Sequence, residues 1–341
     1  MSGLIVQRAG PGVSVQDLGR QGTLAFGLSR GGAADRQAIH EGAALLGQDA
    51  SLAALEMAGA GGVFQARGDL RIALTGAPMV ARIDGRSVAW HASHALPDGA
   101  TIEIGAATAG SYGYLHVGGG IATPSRLGAR AAHLVAGLGE PVQAGIDLPI
   151  GTDAGQGTGD KLAVSNRFRG GDVRIVASLQ TDFFDKTTLQ RFENTEFKRD
   201  PRGNRMGVRL ASDGAGFLVD GGLTVLSEVI TPGDIQVTGD GAPFVLLTEC
   251  QTTGGYPRIA TVLPCDLPIV AQAPPGAPIR MRFVSLEDAV AAHRRWIAEL
   301  ASLGQRRERL VRDPSEIPNL LEYQLLSGFI SGDEPQYSGD N

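Results

Sequence analysis

The residues best suited to chemistry lie in the segment 249–257, where a hydrophobic run ends in a polar corner that contains two glycines. Because glycine adopts backbone conformations that other residues avoid, Gly254 and Gly255 would let a ligand approach backbone N–H groups, as in a small anion or oxyanion cradle. The hydrogen-bonding side chains of the corner are those of Glu249, Gln251, Thr252, Thr253 and Tyr256. The alternative is a tight turn whose threonines bond their own backbone and whose tyrosine is half-buried.

The strand that leads into this corner determines which side chains face the same way. Residues 244–248 are predicted to form a strand, and its period of two places Glu249 and Gln251 on one face and Cys250 on the other. Cys250 would then share the apolar face of the strand. We therefore expect a buried, unreactive thiol there and not a nucleophile.

Two further segments have residue types that bind anions. The basic segment 198–210 is typical of a solvated loop, but the planar fork of arginine grips carboxylates well, so Arg205 and Arg209 are candidates for anchoring a substrate or cofactor. The glycine-rich loop 27–35 precedes a predicted helix, and helix N-termini favour anions. The alternative for this loop is that Asp35 caps the helix.

The lysine content argues against a self-contained nucleotide site. Of the 30 basic residues only Lys161, Lys186 and Lys198 are lysines, and none lies in a G-x-x-x-x-G-K-[ST] loop. None has the Met-Lys-Met context of a biotinyl lysine, so any biotin would have to arrive on another chain. His91 and His94 lack an accompanying carboxylate or cysteine cluster, and no metal site is predicted.

Composition predicts a mainly β protein with a few helices. Glycine supplies 49 of 341 residues, which is twice the average share of about 7%. Only 5% of residues are aromatic, and this composition favours many short strands. The net charge of −6 leaves no broad footprint for nucleic acid. No apolar run suits a membrane span or a signal peptide, and two cysteines make no disulfide framework, so a cytoplasmic location is expected.

Helices are predicted at residues 34–46 and 182–192, and a capping box at Ser285 predicts the start of another. Asp84-Gly85 is typical of a two-residue hairpin turn. The apolar face of the last helix is predicted to comprise Leu286, Val290, His293, Ile297 and Leu300.

An internal repeat divides the chain into two related halves. Residues 68–72 and 76–78 (GDLRI, GAP) correspond to 233–237 and 241–243 (GDIQV, GAP), and a later turn at Gly99 corresponds to one at Gly276. The second copy has an insertion before that turn, and the insertion contains residues 251–257. A duplicated β unit that gained a loop in one copy explains this arrangement, and such loops often carry sites. Chance similarity between glycine-rich turns is the alternative.

The motifs of the second half resemble the allophanate hydrolase subunit 2 family. This KipA-like group includes the C subunit of 5-oxoprolinase and the carboxyltransferase domain of urea carboxylase and urea amidolyase. The motifs are, in order, residues 204–210 (NRMGVRL), 227–228 (SE), 233–237 (GDIQV), 249–260 (ECQTTGGYPRIA), 266–267 (DL) and 271–272 (AQ). The resemblance extends to about residue 290. It implies cyclophilin-like antiparallel β-barrels, with residues 1–160 as the first half, 161–300 as the second and 301–341 as a C-terminal tail.

The resemblance also implies a subunit that acts only with partners. One implied activity is ATP-dependent hydrolysis of 5-oxoproline to glutamate, together with a KipI-like first-subunit homologue and a third subunit. The other is carboxyl transfer to a urea-like amide, from carboxybiotin supplied on another chain. In both cases the substrate is a small amide, and any ATP is used by the complex.

We assign hypothetical roles to the residues of these motifs. Arg205 and Arg209 would grip a carboxylate. Glu228, Glu249 or Tyr256 would move protons. The remaining site residues are Gln251, assigned to catalysis, and Thr252, Thr253, Gly254, Gly255 and Gln236, assigned to binding the amide oxygen or other substrate groups.

Several positions depart from the family pattern. The family's Ser-Gly-Ala-Met-Asp is residues 31–35 (GGAAD) here, its Gly-Ser-x-Ser-Thr is 128–132 (GARAA), an expected arginine is Tyr112, and an expected aspartate is Glu249. These departures indicate a different substrate, or a non-catalytic KipA-like subunit that regulates a KipI-like partner.

Overall fold

The computed structural model describes residues 2–219 and 225–311, and over these ranges the protein is mainly β with four α-helices. This confirms the predicted fold class. The first half contains β1 (Gly3–Ala9), β2 (Ser14–Gln16), α1 (Arg36–Leu46), β3 (Ala54–Ala58), β4 (Gly62–Arg67), β5 (Leu70–Gly76), β6 (Met79–Ile83), β7 (Arg86–Ser87), β8 (Ala92–Leu96), β9 (Thr101–Ala107), β10 (Tyr112–Val117), β11 (Asp147–Pro149) and β12 (Asp160–Lys161). Short 3₁₀ turns occur at Thr23–Phe26 and Leu134–Ala136.

The second half begins with β13 (Gly171–Val176). It continues with α2 (Lys186–Glu193), β14 (Glu196–Arg199), β15 (Gly207–Ala211), β16 (Glu228–Val229), β17 (Asp234–Val237), β18 (Pro243–Leu246), β19 (Thr253–Gly254), β20 (Arg258–Val262), α3 (Leu267–Gln272), β21 (Pro278–Phe283), α4 (Leu286–Ser302) and β22 (Glu308–Arg309). Two more 3₁₀ turns lie at Thr181–Phe183 and Leu303–Arg306. Most of the predicted tail, residues 312–341, lies outside the described residues.

Two facing sheets form the first half. Their strand orders are β11-β1-β4-β9-β6-β7 and β2-β3-β10-β5-β8-β12-β22. Alternating apolar side chains of both sheets, such as Leu4, Phe64 and Ile72, are fully buried between them. Helix α1 packs on the other face of β5 and β10, so β10 is buried along its whole length.

A closed barrel of seven strands, β13-β20-β17-β18-β15-β14-β21, forms the second half. The expectation of two antiparallel barrels needs correction in two details. Among the described strands only those of the second half close into a barrel, and β13 pairs with β21 in parallel. The physical reason for the parallel pair is that strand directions cannot alternate all the way round a closed ring of seven strands, so one neighbouring pair must be parallel. The proposed boundary at residues 160–161 falls inside β12.

Local capping residues mark the observed starts of α1 and α4. The carboxylate of Asp35 accepts a hydrogen bond from the Ala38 N–H at 3.2 Å and caps α1, and Ser285 likewise caps α4 by accepting from the Asp288 N–H at 3.1 Å. The helix predicted over 182–192 instead begins at Lys186, where Asp185 accepts from the Thr188 N–H at 2.8 Å. The hairpin turn at Asp84-Gly85 is confirmed, with both residues at positive φ.

The predicted buried face of α4 is wrong for Leu286, Val290 and Ile297, whereas Leu300 does pack against the buried cluster. Leu286 is 73% exposed and Ile297 49% exposed, whereas α4 buries Ala289, Ala292 and Trp296 against the barrel. Two small alanines allow the helix to approach closely, and the Trp296 ring then buries a large apolar area on the same face. Three of the four large aliphatic residues in the predicted face therefore lie on the solvent side of α4.

The two halves share one hydrophobic core. Ala34, Ile39 and Tyr114 from the first half belong to the same buried cluster as Val208 and Ile259 of the barrel. This shared core fixes the loop 27–35 of the first half beside the end of the barrel that carries residues 249–257. Among the described residues, none of the helices combines the length and apolar character that a membrane span requires.

A candidate binding cavity beside the barrel

A cavity of about 260 Å³ opens beside the barrel, and three of the predicted site residues reach it. Gln236 comes from β17, and Gln251 and Tyr256 come from the loop between β18 and β20. The other lining residues are Asn204, Met206, Ile230, Thr238, Phe244, Leu246 and Cys250. Pockets for drug-sized ligands span about 300–1,000 Å³, so this cavity suits a small molecule held by apolar walls and a few amide and hydroxyl groups.

Gln236 is the distinctive polar group of this cavity. Its side chain is buried, and its Nε2 has no hydrogen-bond partner among the described residues. A buried amide donor without a partner costs about 1–3 kcal/mol, so native proteins rarely retain one without a reason. The arrangement leaves an enclosed N–H donor without a partner at the wall of the cavity.

Gly254 is required because Gln236 lies directly against it. A Cβ atom at position 254 would be 2.5 Å from Gln236 Nε2 and 2.9 Å from Ile230 Cδ1. Neither Gly254 nor Gly255 has a positive φ, and Thr253–Gly254 pairs with Glu228–Val229 as a short antiparallel ladder. The expectation that these glycines form an unusual backbone cradle is therefore corrected, because close side-chain approach, and not backbone freedom, explains the glycine at position 254.

We expect Gly254→Ala to displace the Gln236 amide at a cost of about 1 kcal/mol, the low end of the range for overpacking, because both colliding atoms end side chains. Urea denaturation measures this loss. Gly239→Ala is a matched control, since its φ is not positive and no atom lies within 4 Å of the added Cβ. Equal stability of the two variants would contradict the close packing of Gln236 on Gly254.

The threonines of the corner bond to neighbouring segments. Thr252 Oγ1 donates to the Gly27 carbonyl at 3.4 Å, and the Thr252 carbonyl accepts from the Ile230 N–H at 3.1 Å. Thr253 is exposed on the short strand β19. These contacts connect the rim of the cavity to the loop of the first half.

The structure places Arg205 between the two halves and not in the cavity. Its Nε donates to Glu249 at 2.7 Å, its Nη1 to Glu56, and its Nη2 to the Gly32 carbonyl at 2.6 Å. Burial alone would lower the pKa of Arg205, but the carboxylates of Glu56 and Glu249 raise it above its ordinary value. Arg205 therefore grips carboxylates, as predicted for its chemistry, but those of its own chain.

Arg209 and Glu228 are also engaged away from the cavity. Arg209 Nη2 donates to Asp240 at 2.6 Å. Glu228 accepts from Arg258 Nη2 at 2.5 Å and from Gln180 Nε2 at 2.8 Å. The structure thus separates the predicted site into a cavity with Gln236, Gln251 and Tyr256, and a set of ion pairs that contains the predicted charged residues.

Cys250 lines the cavity as a buried thiol. Burial, with a contribution from the Asp234 carboxylate, raises its pKa to about 12. It packs with Ile230, Leu246 and Phe244, so the predicted buried thiol is observed. At neutral pH its thiolate fraction is negligible, which argues against a nucleophilic role.

The strand period does not explain the burial of Cys250, because β18 ends at Leu246 and the Cys250 N–H closes a turn onto the Leu247 carbonyl. The predicted alternation is therefore wrong here: Cys250 and Gln251 line the same cavity, whereas Glu249 is bonded to Arg205.

Sequence reasoning missed the buried polar network behind Arg205. Glu56 accepts from the Ala34 N–H at 2.8 Å and from Tyr114 Oη at 2.7 Å, in addition to Arg205. The loop 27–35 therefore does hold an anion, the chain's own Glu56. The sequence signal that could have revealed this network is Glu56, the single carboxylate in the otherwise apolar strand β3.

A second buried network joins the halves through Arg167. Its guanidinium donates to Asp35 at 2.7 Å and to both oxygens of Glu41 at 2.8 and 2.7 Å. Gln272 Nε2 adds a bond to Asp35 at 2.8 Å. These contacts hold α1 on the barrel and so fix the loop that touches Thr252.

Comparison with known proteins agrees with this architecture. Residues 26–283 match the family model described as carboxyltransferase domain, subdomain A and B. The chain is 33% identical over 305 residues to the C subunit of 5-oxoprolinase from Escherichia coli (strain K12), with 87% of this chain and 97% of that protein covered.

Two longer proteins are also similar. Urea amidolyase of Saccharomyces cerevisiae is 25% identical over 337 residues, which covers 91% of this chain but 18% of that protein. The crystal structure of Kluyveromyces lactis urea carboxylase superposes with a TM-score of 0.78 at 20% identity, over 92% of this chain and 31% of that chain, and supports the fold alone. The chain therefore belongs to the carboxyltransferase-domain family, subdomains A and B, as its sequence motifs predicted.

Proposed function

We propose that this chain is the component of a 5-oxoprolinase complex that corresponds to the bacterial C subunit, and that the complex hydrolyses 5-oxoproline to glutamate with ATP. Similarity supports this choice, because the match spans 97% of the bacterial protein but only 18% of the yeast urea amidolyase. The structural observation that carries the proposal is the unpartnered Nε2 of Gln236 in a small cavity beside the barrel, as far as the described residues extend.

The chemistry of lactam opening needs what this cavity offers. Water adds to the amide carbon, the carbonyl oxygen gains negative charge in a tetrahedral intermediate, and the ring C–N bond then breaks as its nitrogen takes a proton. The Gln236 N–H would donate to the developing oxyanion. The Gln251 amide would orient the substrate, and the Tyr256 hydroxyl, at the open side of the cavity, would deliver the proton.

Partner subunits would supply the remaining groups. No cation lines the cavity among the described residues, so we propose that a KipI-like first-subunit homologue contributes the group that binds the substrate carboxylate. The chain has no Walker loop, and of its three lysines Lys161 pairs with Glu308, so we assign ATP to the partner subunits, including a third one. ATP would supply the energy for opening the stable lactam.

Two other functions have support from particular observations. Carboxyl transfer to a urea-like amide, from carboxybiotin on another chain, fits the description of the family model and the same oxyanion chemistry. A regulatory role fits the commitment of Arg205, Glu249 and Glu228 to internal ion pairs. Both are outcomes that the following experiment separates from the main proposal.

The test is co-expression with a first-subunit homologue and a third subunit, followed by measurement of ATP-dependent glutamate release from 5-oxoproline. We expect release to require this chain and to fall about tenfold or more in Gln251→Ala, the loss of one positioning hydrogen bond. Gln65→Ala, on β4 of the first half, is the control. Release that does not depend on this chain would refute the proposal. A stable complex indifferent to Gln251 would favour regulation, and carboxylation with a biotinylated carrier would favour transfer.

A further inference from the structure

A second cavity, of about 250 Å³, lies in the first half and shares no lining residue with the cavity beside the barrel. Its apolar wall includes Val15, Val142 and Leu148. Its polar lining includes Arg20, Thr123, Arg126 and Arg130, and Glu140 is the one carboxylate among its described lining residues. The cavity therefore combines an apolar body with a surplus of positive charge.

Arg20 is a buried cation that forms no ion pair in the described chain, and only 2% of it is exposed. Arg199 shares this property, whereas Arg167 and Arg205 each contact two carboxylates. Its Nε donates to the Arg126 carbonyl at 3.1 Å and its Nη2 to the Ala131 carbonyl at 2.6 Å. Nη1 has no partner among the described residues.

The Asp17 carboxylate, which has the strongest effect of any acidic group on the pKa of Arg20, is bonded to other groups. The Asp17 carboxylate accepts from the N–H groups of Gly19 at 2.8 Å and Arg130 at 2.6 Å, and no hydrogen bond joins it to Arg20 in the described structure. Burial lowers the pKa of Arg20, while Asp17 and Glu249 partly oppose this effect. A buried guanidinium with an unused donor is costly unless an anion completes it.

Thr123 adds a second unused polar group to the same cavity. Its Oγ1 is buried and has no partner in the described part of the chain. The backbone carbonyl of Thr123 accepts a hydrogen bond from Arg130 Nη1, so one of the two further arginines is held beside it. A ligand oxygen here would meet a hydroxyl and cationic groups together.

We infer that this cavity binds a small monocarboxylate with a short apolar body, whose carboxylate is held by Arg20 and the Thr123 hydroxyl. The apolar part would lie against Val15, Val142 and Leu148. A carboxylate fits because it accepts several charge-assisted hydrogen bonds. A fully polar, strongly hydrated anion fits less well, because it would lose its water against the apolar wall. This site is separate from the proposed lactam cavity and does not depend on the proposed function.

Isothermal titration of the full chain with hexanoate tests the inference. We expect hexanoate to bind at least about tenfold more tightly than hexan-1-ol, which lacks the charge, or acetate, which lacks the apolar body. Thr123→Val should weaken hexanoate binding about tenfold, and Arg20→Met about 100-fold, as expected for losing a hydrogen bond and a charged donor. Gln236→Leu, in the other cavity, should leave hexanoate binding unchanged.

The result that overturns the inference is equal binding of hexanoate and hexan-1-ol, or unchanged hexanoate binding in Thr123→Val. If Arg20→Met fails to fold, Thr123→Val still decides it. A loss of hexanoate affinity of about tenfold in this variant supports the site, and wild-type affinity refutes it. A complex inactive toward 5-oxoproline that still binds hexanoate would refute the proposed function alone.

Discussion

Arg205→Met is expected to lower the free energy of unfolding by about 3–5 kcal/mol, the usual cost of breaking a buried ion pair from one side. The change would leave Glu56 and Glu249, both buried, without their shared cation. It would also remove the bond to the Gly32 carbonyl that joins the two halves. Urea denaturation followed by circular dichroism measures the loss.

Arg209→Met is the matched control for this prediction. Arg209 pairs with Asp240, whose side chain is 55% exposed, so we expect a loss of no more than about 1 kcal/mol. In the double variant Arg205→Met/Glu249→Gln, the removal of one unpaired charge should restore part of the stability. Similar losses for Arg205→Met and Arg209→Met would show that the buried network does not hold the halves together.

Gln236→Leu is expected to reduce kcat of the assembled complex about 10²–10³-fold, the effect of removing one oxyanion donor. The same change should leave stability unaltered or raise it by about 1 kcal/mol, because it removes a buried donor that has no partner among the described residues. Steady-state assay and urea denaturation together test this pair of opposite effects.

The control is Gln7→Leu, which alters an exposed glutamine of β1 and should change neither quantity. A stability loss of several kcal/mol in Gln236→Leu would mean that the amide is satisfied within the protein. Full activity in a stable Gln236→Leu complex would exclude Gln236 from oxyanion binding.

Features that depend on neighbours in sequence were predictable. The caps at Asp35 and Ser285 and the turn at Asp84-Gly85 follow from local rules, since each is determined by residues within a few positions. The family motifs gave the carboxyltransferase-domain membership and the mainly β fold. The burial of Cys250 was predicted correctly, but the strand period behind that prediction ends at Leu246, and a turn places the thiol.

Features that depend on distant neighbours were not predictable. Arg205 has the residue type of a substrate anchor, but its partner Glu56 lies 149 positions earlier in the chain, and only the folded structure brings them together. The buried face of α4 also depends on distant neighbours, and it consists of two small alanines and Trp296 and not of the large aliphatic residues that the pattern favoured. The motif made Gln236 a candidate site residue. The sequence did not show that its Nε2 would lack a hydrogen-bond partner, because that depends on how the barrel and Gly254 enclose the side chain.

The loop that carries the candidate site has three separate attachments to the first half. The Gly31 N–H donates to the Thr248 carbonyl at 2.9 Å, Thr252 bonds to Gly27, and Glu249 connects through Arg205 to Gly32 and Glu56. A substitution in residues 27–35 can therefore shift the loop without touching any ligand. A change in the first half can thus alter the geometry of a cavity that is built entirely from residues of the second half.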